Sequence, residues 1–258
     1  MATFLNASPI FGPVISRRLG VSLGVNLMPA SGKRCTFDCA YCENGLNAEH
    51  PTREPYVPAS EVTAALEQTL RQMGAQGRLP DVITFAGNGE PTASPHFAAC
   101  IRAAVDLRDE LAPGARIAVL SNGTQAARPE VHDALMLVND NILKLDTADP
   151  AYIKLVDRPV GPYDVERQIE AFASFDGHVT IQTIFMHGHI DGRDICNTGE
   201  RYVTPWLEAL ARIRPGAATI YTVARATPYP GLEKAPADEL NAIAERVRAL
   251  GIPCQVSY

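Results

Sequence analysis

The chain has 258 residues, 46% apolar and 20% charged, a profile that suits a globular protein with a full core and makes a single domain, residues 1–258, the economical expectation. Its 29 acidic against 23 basic residues give a formal charge of −6, which argues against an extended phosphate-gripping face and so against nucleic acid as the favoured partner. No stretch stays apolar long enough to span a bilayer, and Met-Ala-Thr-Phe-Leu-Asn at the start lacks a signal-peptide pattern, so a cytoplasmic location without membrane association is expected.

Short β-rich runs alternate with helical stretches from about residue 20 onward, the rhythm of βα units. Ser16-Arg17-Arg18-Leu19-Gly20 precedes the first strand expected, Val21–Met28. Lys33-Arg34 then leads into Cys35-Thr36-Phe37-Asp38-Cys39-Ala40-Tyr41-Cys42, which places three of the chain's six cysteines within eight residues. In a cytosolic chain such clustering favours metal binding over disulfides. Soft thiolates suit an iron–sulfur cluster or zinc, and a cube held by three cysteines keeps one iron open for an exchangeable ligand. A structural zinc site wants four ligands, for which His50 is the closest imidazole.

A helix near 60–73 gathers Val62, Leu66, Leu70 and Met73 on one face, with Ser60 as the expected N-cap. The strand Asp81–Ala86 runs into Gly87-Asn88-Gly89-Glu90-Pro91-Thr92, where glycines allow close backbone approach and the carboxylate can meet an ammonium group. After a helix near 95–111, the strand Arg116–Leu120 ends at Ser121-Asn122-Gly123, either an ordinary turn or a place where Asn122 hydrogen-bonds a ligand. A helix near 129–139 leads to the strand Asn141–Asp146, whose alternation puts Lys144 and Asp146 on one face. Charges in an apolar strand need partners or a polar ligand.

Beyond a helix near 164–175, the strand His178–Met186 carries Gln182, and His187-Gly188-His189 follows with too few imidazoles to hold a metal alone. A helix near 203–213, the strand Ala218–Ala224, a helix near 236–250 with Leu240, Ile243, Val247 and Leu250 on one face, and a short strand Cys254–Val256 complete the order. Six main strands joined in this way imply a parallel sheet, either an incomplete barrel or an open doubly wound sheet, with ligands gathered at the carboxyl ends of the strands. Cys100, Cys196 and Cys254 stand apart from any motif.

The Cys-x3-Cys-x2-Cys segment, with Tyr41 before its third cysteine, resembles the radical S-adenosylmethionine (SAM) signature, and Asn88-Gly89-Glu90-Pro91 resembles that family's Gly-Gly-Glu-Pro motif with one departure. The run from Gly12 through the cysteines, together with Gly87–Thr92, is similar to stand-alone proteins related to the tRNA wybutosine synthases over roughly residues 11–225; the second cysteine cluster of those synthases has no counterpart here. The resemblance implies an α/β fold, a partial (β/α)6 TIM-like barrel with parallel strands, its core at about 20–225 and a C-terminal helix and strand as an extension.

It further implies a [4Fe–4S] cluster on Cys35, Cys39 and Cys42, with SAM chelating the open iron. Tyr41 would pack beside the adenine, Gly89 and Glu90 would lie at the amino group, and Asn122, Lys144, Asp146 and Gln182 would surround the ribose and carboxylate. An electron from reduced flavodoxin or ferredoxin would cleave the sulfonium to methionine and a 5′-deoxyadenosyl radical, which abstracts hydrogen from a substrate the sequence does not identify. Two other functions remain open: an activase that installs a glycyl radical on a partner protein, and a noncatalytic zinc-binding module.

Overall fold

A computed structural model describes residues 4–16 and 20–258. The chain begins with a strand absent from the sequence expectation, β1 (Ile10–Ser16), paired antiparallel with β2 (Gly20–Val25). Gly12 and Pro13 mask it in the sequence, because both discourage a strand interior. The fold tolerates them because β1 lies at the sheet edge and its register shifts between Phe11 and Val14, where the bulge accommodates the missing amide donor.

From β2 the chain alternates as expected: α1 (Ala59–Ala75), β3 (Val82–Phe85), α2 (Phe97–Leu111), β4 (Arg116–Ser121), α3 (Pro129–Met136) and β5 (Asp140–Lys144). Two helices follow, α4 (Pro150–Val156) and α5 (Val165–Ala173), then β6 (Thr180–Ile184). The expected single strand His178–Met186 is instead interrupted at Phe185, after which β7 (Met186–Ile190) leaves the main sheet and pairs with β8 (Arg193–Asp194). The order closes with α6 (Glu200–Ile213), β9 (Ala217–Tyr221), β10 (Leu232–Lys234, which also pairs with β7), α7 (Ala237–Ala249) and β11 (Cys254–Ser257).

The main sheet runs β1-β2-β3-β4-β5-β6-β9-β11, every pair parallel except the first, and among the described residues no pairing joins β1 to β11. The architecture is therefore an incomplete barrel. β2 to β6 and β9 are six consecutive parallel members of this sheet, and β11, which follows α7, adds a further parallel strand beside β9.

The helix-facing side of the sheet is apolar. Leu23, Ile83, Ile117, Leu143, Ile181 and Ile220 are buried there in one continuous core with Leu66, Leu70, Ile101, Phe172, Trp206 and Val247. Trp206 anchors β5 to β6 by donating its indole N–H to the Leu145 carbonyl at 3.0 Å and to Thr183 Oγ1 at 3.1 Å. On the opposite, concave face the register aligns Lys144 with Gln182 and Thr219, so the polar alternation of the sequence becomes a polar row across three strands.

Two helix-end expectations are corrected. Ser60 lies inside the first turn of α1; Pro58 occupies the N-cap, where its fixed φ leads into the helix without a side-chain cap. Leu250 is 44% exposed because α7 ends one residue earlier and Gly251, at φ +79°, turns the chain away. The four expected apolar positions of α1 are all buried. The basic pair Arg17-Arg18 lies outside the described residues.

Candidate active site

The three-cysteine loop follows β2 and is pinned from several directions. Lys33, almost fully buried, donates Nζ to the Gly45 carbonyl at 2.6 Å and lies 3.7 Å from Asp38, so this cation closes the loop on itself. The short helix α4, absent from the sequence expectation, supplies a second support. It is capped by Asp149, which accepts from the amides of Ala151 and Tyr152. At its far end the carbonyls of Val156 and Asp157 accept from Ala40 (2.8 Å) and Asp38 (3.1 Å). Carbonyls left over at a helix terminus are thus satisfied by the amides of the loop.

Within this frame Cys39 is buried while Cys35 and Cys42 are half-buried. Burial, with Glu90 adding negative potential, pushes the Cys35 thiol up to about 12. Burial also holds the Cys39 thiol well above its ordinary value, although Lys144 pulls the other way. Such sulfurs become thiolates only against a bound cation.

The glycine loop lies directly against the cysteine loop. Arg34 donates its amide to the Asn88 carbonyl at 2.9 Å, and Glu90 donates its amide to the Arg34 carbonyl at 3.0 Å, a two-bond bridge centred on Gly89. A Cβ at Gly89 would stand 1.8 Å from the Arg34 oxygen, so the glycine is required by the neighbouring backbone. Asn88, where the family motif has glycine, is buried and binds Asn6 and Pro29 through its side chain.

Glu90 is 2% exposed, and both of its oxygens are occupied within the protein. Oε1 accepts from Thr92 N (3.0 Å), Thr92 Oγ1 (2.5 Å) and Ser121 Oγ (2.7 Å), while Oε2 accepts from Asn122 N (2.7 Å). Burial raises its carboxyl above the ordinary value, and these donors partly restore the charged form. Glu90 therefore ties the end of β3 to the end of β4. Asn122 in turn reaches the Cys35 sulfur at 3.7 Å and Thr36 Oγ1 at 2.9 Å.

On the other side of the loop stands a buried polar cluster. The Tyr41 hydroxyl contacts Asp146 Oδ2, Asp157 Oδ1 (3.0 Å) and the Lys144 ammonium (2.6 Å), and Asp146 Oδ1 also accepts from the Ile184 amide at 3.0 Å. Burial and the charge of Asp146 drive Asp157 well above the usual carboxylate range. Burial opposes the charge on Lys144, but Asp146 together with Tyr221, Cys39 and Asp157 outweighs it and holds the ammonium well above its usual value. Lys144 can only donate to the Tyr41 hydroxyl, whose single proton can serve one of the two carboxyl groups, so the other must bring a proton of its own, as the raised Asp157 can.

The structure thus brings Cys35, Gly89, Glu90 and Asn122 together on one side of the cysteine loop and Tyr41, Lys144 and Asp146 on the other, with Gln182 beside Lys144 in the sheet register. Asp157, Thr36 and Thr124 belong to these clusters but have no signal in the sequence. A cleft of about 360 Å³ opens beside Cys35, lined by Lys33, Arg34, Thr36, Asn47 and Tyr56 among others. A second, of about 500 Å³, opens at the amino ends of the strands, beside Val82, Arg116, Asp140, Thr180 and Ala217, away from the cysteine loop. On the wall of the first cleft Arg34 donates to the Glu54 carbonyl at 2.9 Å and lies over the Tyr56 ring.

His187 lies apart from both clusters, joining the small sheet to α7 through Glu239 (2.8 Å) and to the loop before α6 through Thr198 (3.1 Å), while His189 is exposed. Cys100 is buried in α2, Cys196 lies 3.4 Å from Thr198, and Cys254 is at the β11 edge. Among the described residues no three His, Cys, Asp or Glu side chains form a group that could hold one metal ion. No helix among them is long and apolar enough to cross a membrane.

Residues 30–214 match the family described as the Radical SAM superfamily. A UPF0026 protein of Helicobacter pylori is 30% identical over 190 residues, covering 71% of this chain and 58% of that protein, so the chain spans under two thirds of this relative's length. In fold, a radical SAM methyltransferase from Sphaerobacter thermophilus superposes with a TM-score of 0.64 at 19% identity, over 96% of this chain and 68% of that one. Archaeal TYW1 superposes with a TM-score of 0.53 at 15% identity, over 88% of this chain and 71% of that one.

Proposed function

We propose, from the premise that this chain belongs to the radical SAM superfamily, that it is an enzyme binding a [4Fe–4S] cluster through Cys35, Cys39 and Cys42 and using SAM as its second cofactor. The observation that carries this reading is the backbone bridge between Arg34 and Gly89, which joins the cysteine loop to the Glu90–Asn122 support as one unit. The donor set fits the cluster: three soft thiols on one braced loop, two of them disfavoured as free thiolates by burial, with an amide N–H directed at one sulfur. The polar row of Lys144, Gln182 and Thr219 on the concave face fits the amino-acid and ribose portions of SAM.

Bound together, cluster and SAM supply reductive sulfonium cleavage to methionine and a 5′-deoxyadenosyl radical able to abstract a substrate hydrogen. The protein's part is to hold the thiolates, orient the amino-acid end of SAM and keep the concave face partly shielded from water. Gly89 would present its peptide to the SAM amino group, and Tyr41 would contribute through its ring and backbone, since its hydroxyl is engaged elsewhere. Asp146 would act mainly by holding Tyr41 and Lys144. Reduced flavodoxin or ferredoxin is the proposed electron source, and residues 1–258 are taken as one functional domain in the cytoplasm.

Anaerobic reconstitution with iron and sulfide tests this. The expected outcome is four irons and four sulfides per chain and release of 5′-deoxyadenosine when SAM and a reductant are added. One zinc per chain without sulfide, or a cluster that never cleaves SAM, would overturn the proposal.

A further inference from the structure

We propose that Asn122 is a positioning residue that donates its side-chain N–H to the Cys35 sulfur and so tunes the reduction potential of the bound cluster, rather than touching SAM. This rests on the reading of the cysteines above and assigns Asn122 a different task from the ribose or carboxylate contact its place after β4 suggests.

The orientation of the amide follows from its partners. The backbone N–H of Thr124, which can only donate, lies 3.1 Å from Asn122 Oδ1, and Thr124 Oγ1 lies 2.9 Å from the same oxygen. These contacts identify the oxygen, so the nitrogen is the atom facing Thr36 Oγ1 at 2.9 Å and Cys35 Sγ at 3.7 Å. Thr36 Oγ1 also lies 3.2 Å from Oδ1, but with the Thr124 proton on Oδ1 the Thr36 proton bonds Thr124 Oγ1 at 2.7 Å instead, and the other four contacts use the two N–H donors and two oxygen lone pairs of the carboxamide. No capacity remains for a ribose hydroxyl or a carboxylate.

The amide is also held rigidly. Asn122 is 6% exposed, its backbone N–H is fixed on Glu90 Oε2 at 2.7 Å, and Thr36 and Thr124 bond each other at 2.7 Å behind it. A donor held in place before charge arrives costs no reorganisation when the charge develops. A reduced cluster carries one more negative charge than an oxidised one, so an N–H aimed at a ligand sulfur favours reduction.

The test is potentiometric EPR of the reconstituted full chain without SAM, on wild type, Asn122→Ala and the isosteric Asn122→Asp, with SAM affinity measured separately on the oxidised protein. Asn122→Ala is expected to lower the ratio of reduced to oxidised cluster about tenfold at fixed potential, about 59 mV for a one-electron couple. Its SAM affinity should stay within about twofold of wild type. Asn122→Asp preserves the side-chain shape should the alanine variant fold poorly, and it should shift the potential further in the same direction. Wild-type potentials in the variants, or a SAM affinity about tenfold weaker at unchanged potential, would overturn the proposal while leaving the cofactor assignment intact. A wild-type chain that assembles no iron–sulfur cluster would overturn both.

Discussion

The Arg34 carbonyl lies where a side chain on residue 89 would have to begin: a Cβ on Gly89 would sit 1.8 Å away, at φ +142°. Gly89→Ala must therefore separate the glycine loop from the cysteine loop or strain both. A cost of about 3 kcal/mol or more is expected from the combined clash and backbone strain. Thermal unfolding of the metal-free protein reads the cost, and iron content after reconstitution should fall with it. A variant as stable as wild type and fully loaded would show that the two loops do not depend on this contact.

Glu90 accepts four hydrogen bonds and donates none. Glu90→Gln keeps the shape but replaces one acceptor with a donor, which must then face the Asn122 amide or the cluster of Thr92 and Ser121 donors. A backbone N–H faces each oxygen, that of Thr92 on one side and that of Asn122 on the other, so the amide nitrogen opposes a fixed donor whichever way it turns, at a cost of about 1–3 kcal/mol. Chemical denaturation measures this directly. An unchanged midpoint would mean that Glu90 is already protonated and donating in the native protein.

These supports differ in how far they could be read from the chain alone. Cys35, Cys39 and Cys42 form a local pattern, and Gly89-Glu90 adjoins an apolar strand, so both are visible within a few residues. The partners of Tyr41 are 103 to 116 residues away, and Cys35 meets Asn122 across 87 residues. Only the parallel sheet, which aligns the ends of β2 to β5, brings them together. Asp157 lies in an unremarkable stretch after α4, a helix of only seven residues that starts with proline and leaves little periodicity to detect. The strand containing Gln182 was visible, but its break at Phe185 was not, since Met186 continues the apolar run while the backbone moves to another sheet.

His187 offers a contrast with the cysteines. Its bonds connect β7 to the first turn of α7 at Glu239 and to the loop before α6 at Thr198, a structural link between partly exposed groups. His187→Ala should leave iron and sulfide content unchanged and lower stability by about 1 kcal/mol or less. Metal analysis of the reconstituted variant checks this, and a loss of bound metal would bring the histidine into the metal site after all.

The Tyr41 cluster yields a pH test. With Asp157 protonated in the fold and a free aspartate titrating near pH 3.9, the unfolded chain releases this proton at lower pH than the native protein does. Below about pH 3.9 both states hold the proton and the native arrangement contributes in full. Above it the folded state binds more protons than the unfolded state, so stability falls as pH rises, at a limiting slope of about 1.4 kcal/mol per pH unit, until the folded group also ionises. Asp157→Asn removes that slope while its amide still donates to Tyr41, so its stability relative to wild type should rise as the pH increases above about 3.9 in the metal-free protein. Tyr41→Phe should instead destabilise by about 1–3 kcal/mol, because Lys144, Asp146 and Asp157 lose their common partner inside the fold. If the difference between Asp157→Asn and wild type stayed flat over that pH range, Asp157 would be ionised in the native protein, and the single-proton scheme at Tyr41 would have to be abandoned.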